Sequence, residues 1–298
     1  MRYDFGTGIE LVKLCAEEEL TISEVMLRRE CEIGDRTRDQ VIAEMRTDLR
    51  VMRESVKKGL TEKVTSVSRL TGGEAMKLFR YADLDPFSGS ETCHAAAAAM
   101  AVVEVNAAMG RIVAAPTAGA SGILPGVLLE SAHSRGWNDE ELISGLFCAG
   151  AIGMLFAKNA TISGAAGGCQ AETGVAAAMT AAALVELSGG EPLQVLDAAA
   201  IAIKNIEGLV CDPVAGLVEC PCIKRNAMGA ANALLSADMA LCGITSLIPF
   251  DEVVSSMYTV GRDLRPEYRE TAKGGLAATP TGKLIAAGIK RMNGRRED

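Results

Sequence analysis

Cys169, Cys211 and Cys222 lie in Gly- and Pro-rich breaks between Ala-rich stretches of a 298-residue chain. Cys169 follows Ser163-Gly164-Ala165-Ala166-Gly167-Gly168, so side chains do not crowd its sulfur and backbone N–H groups can approach a bound group. Cys211 opens Cys211-Asp212-Pro213-Val214-Ala215-Gly216, and Cys222 follows Cys220-Pro221 where a helix begins. A helix N-terminus favours a thiolate. Three thiolates admit three kinds of chemistry. An iron–sulfur cubane held by three cysteines keeps one iron free for a substrate oxygen, which makes the cluster a Lewis acid. Zinc is the second reading, with Cys220 as a further thiol, although two thiolates one residue apart rarely face one metal. In the third the cysteines are small buried hydrophobes, which suits Cys15, Cys31, Cys93, Cys148 and Cys242. Spacing alone leaves the three open.

Composition narrows the functional class. The formal charge of −8 argues against nonspecific nucleic-acid binding, which needs a concentrated basic field. The short basic runs Arg28-Arg29, Lys57-Lys58 and Arg295-Arg296 read as solvated faces. Met1 to Leu20 carries Asp4, Glu10, Lys13 and the acidic run Glu17 to Glu19, with no apolar signal-peptide core, so the cytoplasm is expected. Nine cysteines in a reducing compartment favour metal binding or burial over disulfides. The longest apolar run, Ile143 to Ala157, falls short of the ~20 residues of a spanning helix and reads as a buried core helix, so no membrane role is expected.

The elements that must position the cysteines are helical. With 49% hydrophobic but only 4% aromatic residues, the core is filled mainly by Ala, Val, Leu, Ile and Met. The first 60 residues read as an amphipathic arm: a capping box at Thr21-Ile22-Ser23-Glu24, then a helix from Arg36 to Lys58 ended by Gly59. Residues 61–298 form the expected core. Its helices are Ala75–Tyr81, His94–Met109, Glu140–Lys158, Val175–Leu187, Pro192–Asn205, Ile223–Leu241, Asp251–Val260 and Thr281–Met292. Val102-Val103 and Ile112-Val113 are the only candidate strands. The pattern predicts an all-α single domain, with functional residues on the Gly- and Pro-rich loops between its helices.

A second loop, Pro116 to Pro125, offers Thr117 and Ser121 hydroxyls and N–H groups near Gly119 and Gly122 for a carboxylate. It lacks the Lys-Ser/Thr that ends a Walker A phosphate loop. Of Lys224, Arg225 and Asn226, which follow Cys222 directly, one is expected at the site and the others on the surface. Asn226 is the substrate-binding candidate among them. General-base chemistry has few carriers. His133 reads as an exposed helix end, and His94 and Lys204 remain candidates without an assigned role.

Longer strings add a family resemblance. Gly110-Arg111-Ile112-Val113-Ala114-Ala115-Pro116-Thr117-Ala118-Gly119-Ala120-Ser121-Gly122, Gly167-Gly168-Cys169-Gln170-Ala171-Glu172 and Cys211-Asp212-Pro213-Val214-Ala215-Gly216 resemble the alpha chain of iron–sulfur L-serine dehydratase. So do Pro221-Cys222-Ile223-Lys224-Arg225-Asn226 and Leu276-Ala277-Ala278-Thr279-Pro280-Thr281-Gly282. The resemblance spans nearly the whole chain. It implies a [4Fe–4S] cluster on Cys169, Cys211 and Cys222, with Cys220 a neighbour, no pyridoxal phosphate, and a separate beta chain as partner. It implies loss of water and then ammonia from L-serine to give pyruvate, on an iron that no cysteine beyond Cys242 caps. A cysteine-desulfidase-type lyase and a noncatalytic cluster-binding subunit are the alternatives.

Overall fold

A computed structural model describes residues 1–294, so the Arg295-Arg296 pair and the end of the expected core segment lie outside the described residues. Ala-rich segments give helices because Ala loses no side-chain freedom on entering one, and its small volume lets helices approach closely. The chain begins with α1 (Gly8–Glu18), α2 (Ile22–Gly34), α3 (Arg38–Thr61), α4 (Glu74–Tyr81) and α5 (Ser90–Ala107). The chain continues through α6 (Ile123–Arg135), α7 (Asp139–Asn159), the short α8 (Gly164–Gly167), α9 (Thr173–Leu187) and α10 (Pro192–Lys204). It ends with α11 (Cys222–Leu241), α12 (Phe250–Asp263) and α13 (Pro280–Gly294). The predicted all-α class holds. Among the described residues there is no sheet, only an isolated parallel bridge between Cys211 and Arg269.

Two buried helices organise the domain. α9 is buried from Thr173 to Val185 and packs against α6, α7, α10 and α11. α5 is buried from Ala95 to Val105 and is surrounded by α3, α4, α6 and α11. α6 and α11 touch both, so the loop before α6 and the first turn of α11 are held by the same core. Gly122 shows how close the helices lie: a Cβ there would sit 1.9 Å from the Ala99 carbonyl oxygen of α5. Residues of α1 to α3, among them Leu11, Ile22, Val25, Val41 and Leu49, belong to the same apolar core as α7 and α9.

Several expected boundaries shift. Val102 and Val103 lie inside α5, and Ile112-Val113 forms no strand, because the Ala-rich context outweighs short β-branched pairs. Gly59 does not end α3. It sits inside the helix, where its missing side chain lets α3 meet the Ala101 backbone. At Thr21 only the hydroxyl half of the capping box forms, since Glu24 pairs with Arg28 and Arg38 instead of reaching back. Full capping boxes close at Thr7/Glu10, Thr37/Gln40 and Asn138/Glu141. The run at Ile143 extends into the 21-residue α7, long and apolar enough to cross a membrane by length and composition. It is packed in the core instead, against α2, α3 and α9.

Candidate active site

Cys169 heads a tight turn, Cys169–Ala171, that feeds α9. The turn needs Gly168, whose φ of 78° is left-handed and where a Cβ would lie 2.8 Å from the Leu209 carbonyl oxygen. Gln170, fully buried, braces it: its amide donates to the Gly167 and Met257 carbonyls at 2.9 Å each, and its carbonyl accepts from the Gly208 N–H at 2.8 Å. The strap that carries Cys211 is therefore bonded directly to the Cys169 turn. Cys211 is fixed on its other side, its N–H donating to the Tyr268 carbonyl and its carbonyl accepting from the Glu270 N–H. Cys222 is the first residue of α11, one residue after the cis Cys220–Pro221 bond.

The three thiols lie near enough for their charges to act on one another. Burial raises all three, Cys222 to about 12, and the charges of Cys169 and Cys222 further raise Cys211. Cys220 is not among the chief charges acting on Cys211, and its backbone carbonyl accepts from the Val214 N–H. Among the described residues, no three His, Cys, Asp or Glu side chains converge tightly enough for a single metal ion. Sulfurs on one tetrahedral zinc would lie about 3.8 Å apart, whereas cubane thiolates bind different irons and stand wider. The donor set is all thiolate, the chemistry that an iron–sulfur cluster takes.

Arg225 and Asp212 frame the site. The Arg225 guanidinium donates to Asp212 Oδ1 and to the Val210 carbonyl at 2.8 Å each, while Asp212 Oδ2 accepts from the Leu276 N–H at 2.8 Å. This pair ties α11, the Cys211 strap and the segment before α13 together. The positive charge of Arg225 also favours the Cys169 thiolate. Lys224 points away, to a surface ion pair with Glu74.

The loop before α6 meets the same site. Thr117 donates its hydroxyl to Glu172 Oε1 at 2.7 Å, and Gly119 passes beside that oxygen. The N–H groups of Ala118 and Gly119 start a short turn and find no acceptor in the described chain. Ser121 and Asn226 are turned inward. The Ser121 hydroxyl donates to the Ala118 carbonyl at 2.8 Å. Asn226 accepts from the Gly122 N–H at 3.1 Å and donates to the Gly119 and Cys222 carbonyls at 2.8 and 2.9 Å, which latches the loop to the Cys222 turn. Glu172 is the group that sequence reasoning missed. Its Oε2 lies 3.8 Å from the Cys211 sulfur, and burial raises its carboxyl above the usual range. The only signal was its position three residues after Cys169.

The base candidates lie elsewhere. His94 stacks on Phe79, pairs with Asp83 and lines a small cavity with His133, Glu130 and Leu234. Leu234 stands twelve residues along α11 from Cys222, about 18 Å at 1.5 Å per residue. Lys204 donates to the Ser246 carbonyl, in a loop that Asp197 also holds.

Cys169, Cys211 and Cys222 are thus carried, with a carboxylate and a hydroxyl, on separate loops of an all-helical scaffold. Comparison with known proteins places that scaffold. Residues 17–277 match the family model described as serine dehydratase alpha chain, so the chain belongs to that family. The probable L-serine dehydratase alpha chain of Bacillus subtilis is 52% identical over 277 residues, covering 93% of this chain and 92% of that protein. The L-serine dehydratase alpha chain of Peptoniphilus asaccharolyticus is 42% identical over 281 residues, 94% and 96% of the two chains. An L-serine dehydratase of Streptomyces coelicolor is 43% identical over 285 residues, which cover 93% of this chain but 61% of that longer protein.

Proposed function

We propose that this chain is the cluster-bearing chain of an L-serine dehydratase, converting L-serine to pyruvate and ammonia in the cytoplasm together with a beta chain. The observation that carries the reading is the convergence of Cys169, Cys211 and Cys222 beside Glu172 and Thr117. The three cysteines would hold a [4Fe–4S] cluster, which when bound supplies an open iron as Lewis acid for the departing hydroxide. Pyridoxal phosphate has no part in this reading. The names of the relatives support the substrate, and the longer relatives support a partner for the segment they carry beyond the match.

The chain's own groups prepare that chemistry. Glycines leave room for the bound group: a Cβ at Gly164 would sit 3.0 Å from the Cys211 sulfur and 2.4 Å from Glu172 Oε2. The free N–H groups of Ala118 and Gly119, with Thr117 beside them, are offered to the substrate carboxylate. Ser121, Gly122 and Asn226 hold those donors in place through the bonds that latch the loop, and so act on substrate through the backbone. Arg225 stabilises thiolate charge at Cys169. Cys169 is buried, which strengthens the charge contact there.

The test is anaerobic reconstitution with iron and sulfide, with and without the partner chain, followed by iron and sulfide counts, absorption and EPR spectra and a pyruvate assay. A brown, oxygen-sensitive lyase that borohydride does not inactivate is expected. Turnover by a sample free of iron and inorganic sulfide would refute the reading. L-Cysteine assayed alongside L-serine separates dehydratase from desulfidase, and a loaded complex that turns over neither would leave a noncatalytic cluster-binding chain.

A further inference from the structure

We propose that Glu172 is the residue that receives the substrate's α-ammonium group, and that it makes the site select amino acids over hydroxy acids lacking nitrogen. The inference rests on the reading above.

Glu172 is half-buried, and a carboxylate so placed gains from a donor on each oxygen. Oε1 of Glu172 has one, the Thr117 hydroxyl at 2.7 Å. Oε2 has only the Cys211 thiol, a weak donor at 3.8 Å. Once Cys211 binds a metal it is a thiolate and carries no proton, so Oε2 loses that donor when the site is loaded. No other donor in the described chain reaches it. Arg225, the cation of the site, is committed to Asp212 and to the Val210 carbonyl. The exposed Glu270 adds a second negative charge that acts on Glu172 and Cys211. The half-free Glu172 carboxylate with Glu270 nearby makes a place where a cation is favoured.

An α-ammonium supplies the missing charge and the missing hydrogen bond together. It carries three donors, of which one satisfies Oε2. Thr117 holds Oε1 and sets the carboxylate plane, while Gly164 and Gly119 keep side chains away from both oxygens. The iron chemistry needs only a carboxylate and a β-hydroxyl, so nitrogen recognition must come from the protein. Glu172 is the acid placed to provide it.

The experiment uses the cluster-loaded full chain with its partner and two probes. These are L-serine and 3-hydroxypropanoate, which keeps serine's carboxylate and β-hydroxyl but has hydrogen in place of the ammonium. Binding is read from the change each causes in the cluster's absorption and EPR spectra, and KM and kcat for serine are measured in parallel. Glu172→Gln keeps the volume and an acceptor for Thr117 but removes the charge. It should weaken serine binding roughly 30-fold, the scale of a lost charge-assisted bond, and change 3-hydroxypropanoate binding less than about threefold. Equal weakening of both probes, or of neither, would overturn the proposal. If Glu172→Gln does not load, Glu172→Asp, which keeps the charge but retracts it by a methylene, should load and show the same selective loss. Failure of both variants to hold iron would make Glu172 an assembly residue and likewise overturn the inference. A wild-type chain that holds no iron would instead bring down the functional reading, and this proposal with it.

Discussion

Asn226→Ala should destabilise the protein far more than a small polar-to-alanine change on a surface. Asn226 is fully buried, and among the described residues its amide is the only hydrogen-bond partner of the Gly122 N–H and the Gly119 carbonyl. Its third bond, to the Cys222 carbonyl at the start of α11, matters less because that carbonyl keeps its helical partner. Stranding a buried backbone group costs about 1–3 kcal/mol. Gly122 is buried and bears the full penalty, whereas Gly119 is half-buried and recovers part of its bond from water. The sum is about 3 kcal/mol, a large share of the 5–15 kcal/mol typical of a folded domain. At about 2 °C per kcal/mol for a chain of this size, the melting midpoint should fall by roughly 6 °C. Asn226→Asp keeps the acceptor for Gly122 but sets a carboxylate against two carbonyl oxygens, so it should be at least as damaging. The assay is thermal and urea denaturation of the metal-free chain, anaerobic and in excess thiol reductant, followed by far-UV circular dichroism. If both variants stay within about 1 kcal/mol of wild type, the latch between the Thr117 loop and the Cys222 turn is not what the geometry indicates.

Alanine at Cys169, Cys211 or Cys222 should abolish iron retention, whereas Cys15→Ala and the exposed Cys242→Ala should keep iron and activity; equal loss at all five would point to misfolding instead. Asp212→Ala leaves the largely buried Arg225 without its counter-charge and should cost about 3–5 kcal/mol by urea denaturation, while Asp212→Leu combined with Arg225→Met should regain at least half. Absence of any recovery would show that the backbone bonds to Val210 and Leu276 outweigh the charge pair. Gly122→Ala should lower stability by about 2 kcal/mol or more, because its Cβ would collide with the Ala99 carbonyl of α5 and backbone must move; an unchanged urea midpoint would contradict the close packing. Burial raises the Glu186 carboxyl although it accepts the Ser23 N–H. A raised acid pKa stabilises the fold fully below the unfolded value near 4.3, and that contribution is lost as pH climbs through the folded value. Wild type should therefore lose stability relative to Glu186→Gln as pH rises above about 4.3, and a pH-independent difference in melting temperature would refute the assignment.

What could be read from the sequence was whatever its local pattern determines. Ala-rich runs bounded by Gly and Pro marked most of the core helices. Gly59 was misread because a glycine inside a helix and a glycine ending one look alike until the neighbour at Ala101 is known. Glu24 was misread because Arg38, fourteen residues on, competes for its carboxylate. Glu172 shows the limit more sharply. Its partners are Thr117, fifty-five positions earlier, and Cys211, thirty-nine later, so nothing within a helical turn distinguishes it from an exposed acid.

Placement explains why site residues in this fold escape local reading. α5 and α9 are apolar on every side and bury their flanks in Ala and Val, which leaves the chemistry to the straps between helices. Those straps are held by single polar side chains, Gln170, Asp212 and Asn226, each spending its hydrogen bonds on backbone groups or an ion partner within the scaffold. A residue so engaged is not free to grip a ligand. Thr117 and Ser121 look equivalent in sequence, yet Ser121 donates to its own loop and Thr117 donates to Glu172. The distinction between a group that binds and a group that braces lies in which hydrogen bonds are already made. On that criterion Oε2 of Glu172 and the N–H groups of Ala118 and Gly119 are the polar atoms that the described fold leaves without a strong partner.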